Sequence, residues 1–184
     1  MALSDDLLKK NGILCSYYQY YLAVAHYHQG LYNEAIYQLE MIVKEHGKDV
    51  YLWSLMGHCY YKLEDHINAM ACYEYVLESY SQPKNVHLIQ LRMGNYYLLT
   101  KKFSCAKKTF FNGCKQLPTP RMWKGFGIAC LRLGEHDNAE LAFCEANYLD
   151  NADAETWGYL ALVNGLLKRF DMLKNCFLEA KKLW

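Results

Sequence analysis

Proline is scarce in this chain, with three residues in 184, and all of them stand at 83, 118 and 120. The stretches between are therefore unobstructed for helix. Long apolar runs are lacking as well. Charged or strongly polar side chains interrupt every stretch before the roughly 18 to 20 residues that a membrane span needs, so a soluble chain with no membrane span is expected. No large excess of one charge exists either; the net is +1, which argues against generic polyanion binding. Period-two alternation bounded by turn residues is missing, and with it the signature of strands.

The eight cysteines have no Cys-x-x-Cys spacing and no signal-like start before them. They are expected to be reduced, mostly buried thiols rather than a disulfide framework. No two histidines or cysteines stand three or four apart, as a helical metal site requires; His26 and His28 are two apart and face different ways. A Gly-rich oxyanion or phosphate loop is absent, and the acids fall mainly on expected outer faces. Catalytic residues, metal ligands and cofactors are accordingly expected to be none. An enzyme would need a Cys–His site assembled across distant segments, which one sharply reactive thiol would reveal.

What is present is a repeat. Apolar residues make up 53% of the chain and follow helical spacing throughout, so the fold is expected to be all-α. The landmarks Ala35, Ala69, Ala106 and Ala139 lie 34, 37 and 33 residues apart, and Leu173 takes the fifth place. Similar words precede them: Gly30-Leu31-Tyr32-Asn33-Glu34, Lys101-Lys102-Phe103-Ser104-Cys105, Gly134-Glu135-His136-Asp137-Asn138. Trp53, Trp123 and Trp157 each stand sixteen residues before such a landmark. Repeats are expected at about 16–49, 50–83, 87–119, 120–153 and 154–184, forming one array over 16–184. A lead-in helical segment at 1–15 would be capped by Ser4-Asp5-Asp6 and ended by Asn11-Gly12.

Short turns such as Gln29-Gly30 and Leu133-Gly134 require the two helices of each repeat to pack antiparallel. Glycine or alanine at 23, 57, 94, 127 and 161 leaves room for Leu39, Tyr73, Phe110, Phe143 and Phe177 of the partner helix. The longer interval between Ala69 and Ala106 is taken up by Ser79–Asn85, read as an extended turn.

This pattern resembles the tetratricopeptide (TPR) family. The fourth repeat carries it most fully, with Trp123, Phe126, Gly127, Ala139, Phe143 and Ala146, and departs at Cys130, where tyrosine is usual. Trp53, Met56, Gly57, Tyr60, Ala69 and Tyr73 carry it in the second, and Met93, Gly94, Tyr97, Ala106, Phe110 and Pro118 in the third. The resemblance implies a right-handed TPR superhelix, an α-solenoid of about five helix-turn-helix repeats. The stretch Met122–Val163, with Gly127-Ile128-Ala129-Cys130, Glu145-Ala146-Asn147 and Trp157-Gly158-Tyr159-Leu160-Ala161-Leu162-Val163, is similar to the C-terminal TPR region of the cilia- and flagella-associated protein 70 family. That implies an axonemal role near outer dynein arms.

TPR geometry places the second, fifth, ninth, twelfth and thirteenth residues of each repeat on a concave groove. In the first two repeats these are Tyr17, Tyr20, Val24, Tyr27, His28, Tyr51, Ser54, His58, Tyr61 and Lys62, an aromatic wall with polar tips suited to a peptide or helix. The third contributes Leu88, Leu91, Asn95, Leu98 and Leu99, an apolar patch. The fourth contributes Arg121, Lys124, Ile128, Leu131 and Arg132, a basic cluster for an acidic segment, solvated surface charge being the other reading. A chaperone-tail clamp is disfavoured, because Leu91 and Ile128 occupy the places where it needs Lys and Asn.

Residues 1–86 hold 6 basic and 10 acidic side chains, residues 87–184 hold 14 and 9, so the halves are expected to meet different partners. An acidic first half also argues against nucleic acid. The expected function is a non-catalytic protein-interaction scaffold, within a ciliary or axonemal protein linked to outer dynein arms and motility. The alternative is a cytosolic adaptor for assembly, chaperone or trafficking complexes. Self-association through the last helix, ending Leu183-Trp184, and a place within a longer array are further expectations.

Overall fold

The computed structural model describes the backbone of residues 2–47 and 49–184 and the side chains of 16–44, 47 and 49–184. The described residues form ten helices and no strand. They come as five pairs: α1 (Ala2–Gln29) with α2 (Tyr32–His46), α3 (Val50–Lys62) with α4 (His66–Glu78), α5 (Val86–Leu99) with α6 (Phe103–Gln116), α7 (Pro120–Arg132) with α8 (His136–Leu149), and α9 (Ala154–Leu166) with α10 (Phe170–Leu183). One expectation fails at the start. Helix α1 runs unbroken through Asn11-Gly12, because a mid-helix glycine costs only about 1 kcal/mol and no proline follows to block continuation. The capping role given to Ser4-Asp5-Asp6 concerns side chains outside the described residues.

Each pair turns by the same device. Gly30, Glu64, Lys101, Gly134 and Lys168 all adopt left-handed backbone, with φ of 80°, 62°, 58°, 78° and 59°. The next residue's N–H then reaches back five positions: Leu31 to His26, Asp65 to Tyr60, Lys102 to Tyr97, Glu135 to Cys130 and Arg169 to Asn164, all at 2.8–3.0 Å. These bonds satisfy carbonyls orphaned at the end of the first helix and reverse the chain within three residues. Side chains start several of the helices. Asp49 accepts from Tyr51 N–H at 2.9 Å, Thr119 from Met122 N–H at 3.3 Å ahead of Pro120, and Asp153 from Glu155 N–H at 3.2 Å.

The chain divides into two compact units, Met1–Val86 and His87–Trp184. Their boundary follows the Ser79–Asn85 segment, where Pro83 is buried. In the first unit Ala23, Ala35, Leu39 and Ile42 pack with Leu52, Met56, Cys59 and Cys72, and Tyr20, Tyr27, Trp53 and Leu55 lean on that cluster. Gly57 is glycine for a steric reason: a Cβ there would lie 2.6 Å from the Tyr73 ring. The buried Tyr73 hydroxyl meets His58 Nδ1 at 2.8 Å, and Asn85 Nδ2 donates to His58 Nε2 at 3.1 Å, which leaves Nδ1 to carry the proton donated to the tyrosine.

The second unit interlocks glycine with phenylalanine. Phe110 lies between Gly94 of its own pair and Gly125 of the next, where added Cβ atoms would come within 2.5 and 2.4 Å of the ring. Phe143 fills the space beside Gly127 and stacks on Tyr159, centroids 5.0 Å apart and planes 4° from parallel. Phe177 breaks the expected series. It is 59% exposed, because no following helix covers it among the described residues; Leu173 reaches Gly165 instead, and Cys176 and Ala180 face inward.

Candidate partner-binding faces

The first helices of the first unit present tyrosines. Tyr17 is 61% exposed and Tyr51 49%, while Tyr20 and Tyr27 are half-buried against the core beneath them. Burial raises the Tyr20 phenol above its ordinary pKa, helped by the charge of Asp49 and by neighbouring Tyr21 and Tyr51, so these side chains share one patch between α1 and α3. Tyr27 sits edge-on to His28 at 5.5 Å and beside Tyr32 at 5.7 Å, and Tyr61 packs by His66 at 5.5 Å. His58 and Ser54 do not reach a groove. Both are buried, and His58 is spent on Tyr73 and Asn85, since its helical position turns it toward α4.

In the second unit Leu91, Leu98, Ile128 and Leu131 pack against the core with part of their surface outside. Asn95, Arg121 and Arg132 are exposed. Leu99 is 79% exposed, and Leu166, its register equivalent on α9, remains open as well. Lys124 is not an unengaged cation. Its ammonium lies 2.8 Å from Asp153 and 2.7 Å from Glu155, so an acidic ligand would have to displace two carboxylates already in place. Burial opposes the lysine charge, yet the hydrogen bonds to Asp153 and Glu155 prevail and hold its pKa above the usual value. Asp153 answers in kind: burial works against it, but Lys124 and Thr156 keep its carboxyl below the ordinary range.

The motif residues serve packing. Ala69, Ala106 and Ala139 are fully buried, and Gly57, Gly94 and Gly127 accommodate rings. The indole N–H of Trp53 donates to the Gly47 carbonyl at 2.7 Å, and that of Trp157 to Asn151 at 2.9 Å, tying each first helix to the loop before it. Trp123 meets Phe126 edge to face at 6.0 Å. Tyr18, Tyr21, Leu162 and Leu166 were missed as open apolar surface. Register alone places Leu162 and Leu166 at groove positions of the fifth repeat, so that signal was available.

Cys59, Cys72, Cys114, Cys130 and Cys176 are buried and Cys105 and Cys144 exposed; Cys15 lies outside the described side chains. Burial pushes the Cys59, Cys72 and Cys114 thiols up to about 12 and Cys130 to about 11, so these sulfurs are poor nucleophiles. Among the described residues no group of three or more His, Cys, Asp or Glu could hold a metal ion, and no helix is long and apolar enough to cross a membrane.

A family model described as the cilia and flagella-associated protein 70 C-terminal domain matches residues 23–183. The chain belongs to this family. Cilia- and flagella-associated protein 70 of Homo sapiens is 39% identical over 163 residues, which is 88% of this chain and 14% of the human protein. That of Macaca fascicularis is 47% identical over 93 residues, 50% of this chain and 9% of the macaque protein. The chain thus spans about one seventh of the human relative's length. Among solved structures, MamA from Desulfovibrio magneticus RS-1 superposes with a TM-score of 0.77 at 18% identity, covering 92% of this chain and 94% of that one. At that identity the likeness speaks for fold alone. Family and fold together make this a TPR-type α-solenoid domain of the cilia- and flagella-associated protein 70 kind.

Proposed function

We propose that this domain is a non-catalytic protein-interaction scaffold of the cilium or flagellum, holding a peptide or helix of an axonemal partner against its first-helix faces. The observation that carries the reading is the open tyrosine patch around Tyr17, Tyr20 and Tyr51, which offers large contact area with few rotors to freeze. A soluble segment gains affinity there by burying aromatic surface, at roughly 25 cal/mol per Å² before ordering costs are subtracted. The relatives' names supply the ciliary setting, and outer dynein-arm proteins are the partners this reading favours.

The test is proximity labelling in ciliated cells with residues 1–184 as bait, beside a bait carrying Tyr17→Ala and Tyr51→Ala. Both side chains are exposed, by 61% and 49%, so the variant keeps its fold, which circular dichroism checks. Loss of axonemal and dynein-arm partners in the variant alone is the expected result. An unchanged partner set overturns the face, and cytosolic chaperones or coat proteins in place of axonemal ones overturn the ciliary setting.

A further inference from the structure

Acidic side chains are missing from a long stretch in the middle of this chain. None stands between Glu78 and Glu135, although an even spread of the 19 acids over 184 residues would place about six there. Within the second unit, residues 87–134 hold nine basic side chains and no acidic one, and they cover α6, α7 and all of α5 but Val86. Cations gathered this way repel one another unless opposite charge lies near. The fold answers only part of that demand. Glu135 takes Lys107 at 2.6 Å, and Asp153 and Glu155 take Lys124. Among the described residues no carboxylate forms an ion pair with Lys101, Lys102, Lys108 or Lys115.

These four lysines belong to one helix and its start. Ala106, Phe110, Gly113 and Cys114 of α6 are buried, and the other side of the helix carries Cys105, Lys108, Phe111, Asn112 and Lys115, all exposed. Lys108 and Lys115 stand two turns apart on that side, about 10.5 Å along the axis. Lys101 and Lys102, exposed as well, immediately precede the first turn. One cation is already positioned. The Lys115 ammonium lies 4.3 Å from the centre of the Phe111 ring, and that ring stacks on Phe126 of α7 at 5.5 Å. Phe111 keeps 40% of its surface open, so an apolar anchor sits between the two helical lysines.

The chemistry that matches is a helix bearing carboxylates. Acids seven residues apart on a partner helix recur at the same spacing of about 10.5 Å, so one helix laid along α6 meets both lysines at once. An apolar residue between its acids covers Phe111. A long polyanion matches less well. The whole chain nets only +1, and the unit Met1–Val86 carries 10 acidic side chains against 6 basic ones, so nucleic acid or an anionic bilayer gains little beyond the stripe itself. The acidic segment expected at Lys124 finds that cation spent, whereas the lysines of α6 are open.

We propose that the exposed face of α6 docks an acidic helix of a partner protein, its carboxylates against Lys108 and Lys115 and an apolar side chain against Phe111. Lys101 and Lys102 add to the attraction that steers the partner in. Exposed ion pairs are worth little singly, so the contact is salt-sensitive, and Phe111 sets its register. This goes beyond the proposed scaffold role. That role uses tyrosines of first helices in the unit Met1–Val86, whereas α6 is a second helix in the unit His87–Trp184.

The experiment is fluorescence anisotropy on residues 1–184 with a labelled alanine-based helical peptide that carries glutamates seven residues apart and a leucine between them, beside a peptide of the same composition in scrambled order. Binding is expected to weaken roughly tenfold when Lys108→Glu and Lys115→Glu are combined, as two exposed ion pairs become repulsions, and to fade as salt rises. Lys108→Gln with Lys115→Gln is expected to lose less and replaces that variant should it lose its helical dichroism. The bound peptide is also expected to slow thiol labelling of Cys105, which is exposed on the same helix three residues before Lys108. The Tyr17→Ala, Tyr51→Ala protein is expected to bind the peptide as the wild type does, which separates this surface from the tyrosine patch. Affinity unchanged in the lysine variants overturns the proposal, as does absence of binding at peptide concentrations on the order of 1 mM. Equal binding of the scrambled peptide overturns the spacing, and tighter binding of a DNA duplex or of phosphatidylserine vesicles overturns the choice of partner.

Discussion

Tyr73 in the first unit and Phe110 in the second occupy the same register position, yet they are held by different forces. Tyr73 brings a hydroxyl into the core, and His58 with Asn85 answers it through bonds of 2.8 and 3.1 Å. Phe110 brings no polar atom and is gripped by shape, between Gly94 and Gly125. A buried hydroxyl demands a partner or costs the fold several kcal/mol, whereas a buried phenyl demands only volume. The second unit is therefore the one sensitive to size, and the first the one sensitive to hydrogen-bond chemistry. Joints between pairs in the second unit also carry ion pairs: Lys124 with Asp153 and Glu155, and Arg169 with Glu140 at 2.7 Å.

Size should produce the largest effect. Phe110→Ala is expected to lower the stability of the second unit by about 4 kcal/mol, since it opens a cavity that two glycines cannot fill. Gly94→Ala should cost about 1 to 3 kcal/mol by overpacking. Hydrogen exchange resolved by unit measures both, and protection lost equally in residues 1–86 would show that the two units do not differ in this way. Tyr73→Phe keeps the volume and removes the bond to His58, for an expected loss of about 1 to 2 kcal/mol confined to the first unit. A neutral result there, read by the same exchange, would erase the distinction between shape and polarity.

The smallest effect concerns the turns, where the units should behave alike. Glu64→Gly and Lys101→Gly are expected to raise stability by about 0.5 to 1 kcal/mol, by releasing a side chain from left-handed backbone. Gly30→Ala and Gly134→Ala should lower it by about 1 kcal/mol, although no atom lies within 4 Å of the new methyl group. Urea titration of the four variants checks the opposite signs.

The helix pairs were legible because their landmarks are local: a small residue, a ring four positions on, a turn before. Gly30 and Gly134 announced their turns, while Glu64, Lys101 and Lys168 hid the same backbone behind side chains that carry no turn signal. Long-range partners defeated the reading of individual sites. Lys124 counted as an available cation because the carboxylates that hold it stand 29 and 31 residues away. His58 counted as groove surface because its position in the repeat fits, but the ring of Tyr73 fifteen residues on claims it. Phe177 counted as core by analogy with Phe143, but Phe143 is stacked on Tyr159 of the next pair, whereas Phe177 has no such ring against it among the described residues. Asn11-Gly12 looked like a stop because both residues favour helix ends, but the backbone of α1 continues through them as helix.

One feature of the cores lends itself to timing. Each pair from the second onward keeps a sulfur inside: Cys59 and Cys72 in the second, Cys114 in the third, Cys130 in the fourth and Cys176 in the fifth. A thiol reagent in solution modifies such a group only when its pair opens, whereas Cys105 stands exposed and reacts from the start. Quenched labelling followed by peptide mass mapping would turn these sulfurs into separate clocks along one polypeptide. The order in which they run down would show whether the array breathes from its ends or opens at the joint after Pro83.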